Sequence, residues 1–278
     1  MPKTFIVATD LSARSDLAIQ RAIWLAERQG AKLIVYNVVD DAAPPDIAAQ
    51  ARDAAHAALD RFTTNLSGKV TCEIRVDIGD PTADILSLVA AEAPDLLILG
   101  THRPRPFLDV LRETTAQRIV RLSACPVLMV TDRVDHAYGH VLAATDFSPA
   151  ATAAITLAHD MAPEAQITPV HAFHVPYTGL MTYGGQGIDE MTASFRLEAA
   201  EDDTRWRDRS PLPEACGPTV ISPGSVTQVL ADQLAATGAS LITAGAHGRV
   251  GQGRALLGSV ATDLLRQPPC DVLIARPG

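Results

Sequence analysis

Residues 7–12 read VATDLS, and residues 143–148 read AATDFS. Each copy ends a short apolar run with a Thr-Asp pair, and a serine follows two residues later. The two aspartates, Asp10 and Asp146, are 136 positions apart (146 minus 10). A stretch that returns with the same residue order is typical of an internal repeat.

Two later stretches recur in the same order. LILGTH at residues 97–102 returns as ITAGAH at 242–247, 145 positions later (245 minus 100 for the glycines). CPVL at residues 125–128 returns as CDVL at 270–273 with the same offset. The sequence therefore predicts two homologous domains, residues 1–136 and 137–278, with the joint in the polar segment 131–139.

The offset between the two copies changes along the chain. Asn37 matches His171 at an offset of 134, whereas Gly79 matches Gly224 at an offset of 145. The second half therefore carries about eleven extra residues between these points. We assign them to a glycine- and tyrosine-containing loop over residues 176–187.

Short apolar runs alternate with helical patterns in both halves. The predicted strands are residues 5–8, 33–38, 72–76, 96–99 and 127–130, and then 141–144, 167–171, 220–222, 241–244 and 272–275. Nearly continuous apolar runs are typical of parallel strands that are buried on both faces. The pattern predicts an α/β fold, with two tandem doubly wound parallel-sheet (Rossmann-like) domains and ligands beyond the carboxyl ends of the strands.

The composition excludes several classes of protein. The 278 residues are 47% hydrophobic and 20% charged, with a net charge of -9, so a mainly disordered chain and a basic nucleic-acid-binding face are not expected. No run reaches the roughly 20 apolar residues of a membrane span, and the start of the chain does not resemble a signal peptide. The four cysteines form no C-x-x-C pair. These features predict a cytoplasmic protein with reduced thiols that does not bind membranes.

The most informative segment is residues 245–259, GAHGRVGQGRALLGS. It lies between a predicted strand and a predicted helix, and its spacing is Gly, two residues, Gly, nine residues, Gly, Ser. Glycine lets backbone N–H groups approach a phosphate closely, and the start of a helix offers free N–H donors at its positive end. Arg249 and Arg254 add positive charge. The segment therefore predicts a phosphate-binding loop.

This spacing resembles the ATP-binding loop of the universal stress protein family. Asp146 stands where that family has an aspartate against the adenosine, and VHA at residues 170–172 is similar to the end of the family's second strand. The order of these motifs covers nearly all of each half. The resemblance implies a stress-response protein whose second half binds ATP, with or without Mg²⁺. The implied ligand-binding residues are Ala144, Thr145, Asp146, Ala172, Gly245, His247, Gly248, Arg249, Gly258, Ser259 and Val260.

The first half departs from this pattern. Arg103 replaces the second glycine of the loop, and the offset of 145 aligns Glu113 with Gly258 and Thr114 with Ser259. A carboxylate about 4 Å from a phosphate is repelled by roughly 4 kcal/mol at an effective dielectric constant near 20. The first half is therefore expected not to bind ATP in the family manner, and to be a structural or partner-binding copy.

The sequence offers little support for catalysis. Ser259 has no recognisable triad partners, and neither G-x-x-x-x-G-K-[ST] nor a G-x-G-x-x-G after a first strand is present. We therefore expect a nucleotide-binding protein and not an enzyme. A slow Mg²⁺-dependent ATPase and a nucleotide-free interaction module stay open as alternatives. The resemblance also implies an internal pseudo-dimer of the two halves, and it leaves open an unidentified protein partner and a further homodimer.

Overall fold

A computed structural model describes residues 3–66, 70–101, 114–131, 136–176, 185–247 and 257–276, without the side chains of 185–187. The chain divides into two compact units. The first comprises Met1–His136 and Cys270–Val272, and the second comprises Ala137–Pro269 and Leu273–Gly278. None of the described helices combines the length and hydropathy that crossing a membrane requires.

The first half of the chain alternates strands and helices. In chain order its elements are β1 (Thr4–Thr9), α1 (Ala13–Gln29), β2 (Lys32–Asp40), α2 (Pro45–Leu66), β3 (Cys72–Gly79), α3 (Pro81–Glu92), β4 (Leu96–Gly100), α4 (Thr115–Leu122) and β5 (Val127–Val130). The predicted helix limits in this half are confirmed for α1. Ser12 caps its first turn by accepting from Ser15 N, and Gly30 ends it with a left-handed φ of 61°.

The second half repeats the alternation. Its elements are β6 (His140–Ala144), α5 (Pro149–Met161), β7 (Gln166–Phe173), α6 (Gly185–Arg209), β8 (Val220–Pro223), α7 (Val226–Thr237), β9 (Leu241–Gly245), α8 (Ser259–Arg266) and β10 (Asp271–Ala275). The predicted start of α5 is confirmed, with Ser148 as its N-cap and Pro149 as its first residue. The predicted loop over residues 176–187 is wrong at its end because residues 185–187 belong to α6, and its residues 177–184 lie outside the described residues.

All ten predicted strands are present, and both halves order them in the same way. The strand order is β3-β2-β1-β4-β5 in the first half and β8-β7-β6-β9-β10 in the second. The pairs β1–β2, β1–β4, β6–β7 and β6–β9 are parallel. The direction in which strands are added reverses between β1 and β4, and again between β6 and β9. At such a reversal the helices diverge and leave a crevice at the carboxyl ends of the strands.

The central strands form the core because nearly every side chain on them is apolar. In β1 and β4 the buried residues include Ile6, Val7 and Ile98, and in β6 and β9 they include Leu142 and Ile242, all with no exposed area. Burying one such side chain contributes about 1.5–3 kcal/mol relative to leaving it in water. Apolar side chains on both faces require helices on both sides of the sheet, which explains why the strand runs lack polar alternation.

Two glycines at matching positions allow a helix to lie against the sheet. A Cβ on Gly100, at the end of β4, would come within 2.9 Å of Ser15 Cα on α1. A Cβ on Gly245, at the end of β9, would come within 2.7 Å of Ala150 Cβ on α5. Both contacts are closer than real Cβ atoms approach. The absence of a side chain at Gly245 therefore has a packing reason that the sequence analysis, which considered only phosphate approach, did not find.

We predict that Gly245→Ala and Gly100→Ala each destabilise the fold by about 1–3 kcal/mol because backbone on α5 or α1 must shift. Thermal or urea unfolding measures this change. Gly139→Ala is the matched control, since a Cβ at Gly139 would have nothing within 4 Å. Equal stability of Gly245→Ala and Gly139→Ala would contradict the packing argument.

Candidate functional site

A cavity of about 250 Å³ lies at the carboxyl ends of β6, β7 and β9, where the strand order of the second unit reverses. Nine of the eleven residues that the sequence singled out line it: Ala144, Thr145, Asp146, Ala172, Gly245, His247, Gly258, Ser259 and Val260. The other two, Gly248 and Arg249, lie outside the described residues. The lining also includes five residues that were not among the predicted ligand-binding residues: Ala151, His171, Val226, Ala244 and Ala261.

The turn that follows β6 places Asp146 at the cavity. Its Oδ1 accepts a hydrogen bond from Ser148 N at 3.2 Å, and Thr145 Oγ1 accepts one from Phe147 N at 2.9 Å. Phe147 adopts a left-handed φ of 64°, which a non-glycine residue rarely does. The two side-chain bonds hold this conformation and direct the chain into α5.

The first half builds the same turn. Asp10 Oδ1 accepts from Ser12 N at 3.0 Å, Thr9 Oγ1 accepts from Leu11 N at 3.0 Å, and Leu11 has a φ of 61°. The Thr-Asp-x-Ser stretch is therefore a structural turn in both halves. The presence of the aspartate in itself does not distinguish a ligand-binding half from one that does not bind.

The environment of Asp10 shows how this turn responds to charge. Burial raises the pKa of the Asp10 carboxyl, while hydrogen bonds with Ser12 and Ser15 lower it, and the net effect is a pKa below the ordinary value. A carboxyl whose pKa is depressed by folding adds stability above its unfolded pKa, and this stability is lost as the pH falls through the folded pKa. The turn of the first half is thus strongest when Asp10 is ionised.

His171 is held in the cavity wall by a bond that the first half also makes. Its Nδ1 lies 2.9 Å from the carbonyl oxygen of Thr145, and because a carbonyl only accepts, Nδ1 carries the proton. The matching residue, Asn37, donates from Nδ2 to the carbonyl oxygen of Thr9 at 2.8 Å. The His171 ring also stacks on Phe147, with 4.4 Å between the ring centroids. The offset of 134 aligns Asn37 with His171, and this alignment is the sequence signal from which the shared bond to the threonine carbonyl could have been predicted.

Helix α8 begins at the cavity with an open end. Gly258 is its N-cap, and no side chain of the described residues forms a capping hydrogen bond there. Gly258 N donates to the Ala246 carbonyl at 2.8 Å, and both N and Oγ1 of Thr262 donate to the Gly258 carbonyl at 2.9 Å. The N–H groups of Ser259, Val260 and Ala261 precede the first acceptors within the helix, so they are available to a ligand at its positive end.

Helix α4, the counterpart of α8, closes its own end. Thr114 Oγ1 accepts from Gln117 N at 3.2 Å, and Gln117 Oε1 accepts from Thr114 N at 2.9 Å. This reciprocal arrangement is a capping box, which satisfies two N–H groups of the first turn. The offset of 145 aligns Thr114 with Ser259 and Gln117 with Thr262, whose shorter side chain bonds the Gly258 carbonyl instead. Arg103 and Glu113, on which the sequence argument rested, lie outside the described residues.

One imidazole at the cavity has a buried atom without a partner. Nε2 of His247 is inaccessible to solvent and forms no hydrogen bond among the described residues. A buried ring nitrogen that lacks a partner costs about 1–3 kcal/mol. A polar group of a ligand placed against His247 would remove that cost.

Asp146 lines the cavity, but Asp263, the aspartate of helix α8, does not. Asp263 is half exposed and lies 3.8 Å from Arg266 as an ion pair between Nη1 and Oδ1. Within the described ranges, no group of three or more His, Cys, Asp or Glu side chains is placed to hold a metal ion.

Comparison with known proteins identifies relatives of both halves. The model of the universal stress protein family matches residues 1–131 and again residues 137–276. A Staphylococcus saprophyticus relative named as a universal stress protein is 29% identical over 139 residues, which cover 46% of this chain and 83% of the relative. A similarly named Staphylococcus haemolyticus relative is 24% identical over 156 residues, covering 52% and 94%.

Solved structures show the same fold over the whole chain. A universal stress protein from Archaeoglobus fulgidus superimposes with a TM-score of 0.68 at 17% identity and covers 99% of this chain and 98% of that one. A Pseudomonas aeruginosa protein named for the same family gives a TM-score of 0.66 at 20% identity, with coverage of 99% and 94%. At these identities the likeness establishes the fold alone.

We predict that Gly258→Ser is more stable than Gly258→Ala by about 0.5–2 kcal/mol, because a serine hydroxyl at the N-cap of α8 accepts from an N–H group of the first turn and a methyl group does not. The expected difference between their thermal midpoints is about 1–8 °C. The unaltered protein is the reference for both variants. Equal stability of the two variants would contradict the open end of α8.

Proposed function

The chain belongs to the universal stress protein family, and from this premise we propose that it is a stress-response protein that binds ATP in its second half, residues 137–278. In this proposal the first half, residues 1–136, does not bind nucleotide and has a structural or partner-binding role. The cavity between the ends of β6 and β9 is the proposed nucleotide site.

The observation that carries the proposal is the contrast between two equivalent helix ends. The start of α8 faces the cavity with the N–H groups of Ser259, Val260 and Ala261 available, while α4 uses Thr114 and Gln117 to satisfy its own. Free N–H groups and the positive end of a helix dipole favour a phosphate. A phosphate at α4 would have to displace the capping box, at a cost of about 0.5–2 kcal/mol.

The described residues fit an adenine nucleotide. The wall formed by Thr145, Asp146, His171 and Ala172 offers a carboxylate and an imidazole for a nucleoside. His247 also lines the cavity, and its buried Nε2 has no hydrogen-bond partner among the described residues. The 250 Å³ between these walls is slightly below the range of about 300–1,000 Å³ for ligand pockets. We therefore assign this space to the nucleoside and the open end of α8 to the phosphates.

The remaining assignments follow the family pattern of the loop. Gly248 and Arg249 are proposed to contact the phosphates, through backbone N–H groups and positive charge respectively. Mg²⁺ is proposed to arrive with ATP, because it is usually held by phosphates, water and one or two carboxylates. ATP would supply the phosphate charge that the start of α8 attracts. We assign the protein to the cytoplasm and propose that the bound state signals to a protein partner.

The matched aspartates provide the test of this proposal. Asp146→Ala is expected to weaken ATP binding about 10- to 100-fold, the effect of losing a hydrogen bond to a charged group. Asp10→Ala removes the equivalent turn bond from the first half, so it should destabilise the protein similarly and leave ATP affinity unchanged. Isothermal titration calorimetry with and without Mg²⁺ measures the affinities. Equal effects of the two substitutions on ATP affinity would overturn the proposal.

The same titrations separate the two alternatives. Turnover of ATP to ADP that requires Mg²⁺ and disappears in Asp146→Ala would make the protein a slow ATPase. Absence of any heat or tryptophan fluorescence change with ATP would favour a nucleotide-free interaction module.

A further inference from the structure

A second cleft in the same unit shares no lining residue with the proposed nucleotide site. It lies between residues 147–152, at the start of α5, and residues 202–211, at the end of α6, and it encloses about 630 Å³. We call it the Trp206 cleft. Its volume is within the range of about 300–1,000 Å³ that small-molecule sites occupy.

The floor of the Trp206 cleft is a fixed apolar surface. Trp206 is only 5% exposed, and its Nε1 donates to Thr152 Oγ1 at 2.8 Å. The Trp206 ring lies 5.5 Å from the Phe147 ring, and Pro149 and Pro211 add further apolar walls. Because the indole N–H is already satisfied, the floor offers a ring face and edge to an apolar or aromatic group.

The rim of the cleft carries one excess positive charge. Arg205 is paired with Asp202, with 2.6 Å between Nη2 and Oδ1. Arg209, one turn further along α6, is exposed and has no ion-pair partner among the described residues. Ser210 adds a hydroxyl, whose Oγ accepts from Thr152 Oγ1 at 3.3 Å. A guanidinium is a planar donor suited to a carboxylate, a sulfonate or a phosphate.

We propose that the Trp206 cleft binds a small amphiphilic organic anion, with its ring or apolar body on Trp206 and its acidic group at Arg209. The chain as a whole has a net charge of -9, which disfavours the binding of anions. Arg209, beside the aromatic floor of the cleft, favours an anion at this position. Binding requires the apolar body and the single negative charge together. Neutral aromatics lack the ion pair, and inorganic anions lack the apolar contact.

Phe147 places this cleft against the proposed nucleotide site without merging the two. Its ring stacks on His171, which lines the nucleotide cavity, and it also forms part of the wall of the Trp206 cleft. The stacked pair of His171 and Phe147 therefore lies between the two cavities, with one ring in the lining of each. The assignment of the Trp206 cleft does not require that ATP binds.

The test uses 1-naphthoate and its neutral analogue 1-naphthalenemethanol as probes. Trp24 and Trp206 are the two tryptophans of the chain, so a Trp24→Phe background makes Trp206 the reporter, and calorimetry on the unaltered chain checks the result independently. Naphthoate is expected to bind saturably at one per chain and to change Trp206 fluorescence. The neutral analogue is expected to bind about tenfold more weakly, the loss of roughly one charge-assisted contact.

Arg209→Gln should reduce naphthoate affinity by the same factor of about ten and leave that of the alcohol unchanged. Arg266→Gln is the matched control, because Arg266, like Arg209, is an exposed arginine in the last turn of a helix, and it does not line the Trp206 cleft. Absence of saturable binding, or equal affinities for the acid and the alcohol, would overturn the proposal. Stoichiometric displacement of naphthoate by ATP would also overturn it, since that result places the probe in the nucleotide cavity.

Discussion

The first N–H groups of α8 have no acceptor within their own helix, and the candidate site of the second unit depends on them. The strand order brings the carboxyl ends of β6 and β9 to the same crevice, and Gly258 starts α8 there without a side-chain cap among the described residues. In the first unit, α4 occupies the corresponding position but begins with the Thr114–Gln117 capping box. One architecture therefore provides an open helix end in one half and a closed one in the other. The proposed difference in phosphate binding between the halves rests on this contrast between Thr114 with Gln117 and the uncapped Gly258.

The features common to both halves are those that the fold itself requires. The Thr-Asp-x-Ser turn positions α1 and α5 after the first strand of each half and forces a left-handed residue, Leu11 or Phe147. Gly100 and Gly245 allow the same helices to approach the sheet. These positions recur because they are structural. Gln117 and Thr262 occupy matching positions and differ, and they bond differently at the starts of α4 and α8.

Most of the fold could be predicted from the sequence because its signals are local or repeated. All ten strands were found as apolar runs, and the caps at Ser12, Gly30 and Ser148 followed from side-chain chemistry. The start of α6 at Gly185 was not predicted because the inserted residues carry glycines that favour a loop, whereas the helix starts within them. The length of the insertion did not show which of its residues belong to α6 and which to the connection before it.

The candidate site was predicted in part. Nine of the named residues line one cavity, since each lies at or just after the carboxyl end of a strand or at the start of a helix. His171 was missed as a lining residue because its role depends on a bond to the Thr145 carbonyl on the neighbouring strand. The capping box is encoded locally by Thr-x-x-Gln at residues 114–117, but the sequence prediction for this half rested on the charge of Glu113. The Trp206 cleft depends on contacts between α5 and α6 that no local pattern encodes.

The stoichiometry of nucleotide binding tests this account most directly. Titration of the full chain with ATP in a calorimeter, together with chromatography of nucleotide released from denatured protein, counts the working sites. The account predicts one adenine nucleotide per chain, bound in the half whose helix end is open. Two per chain would contradict it, because the capped helix α4 would then also hold a phosphate.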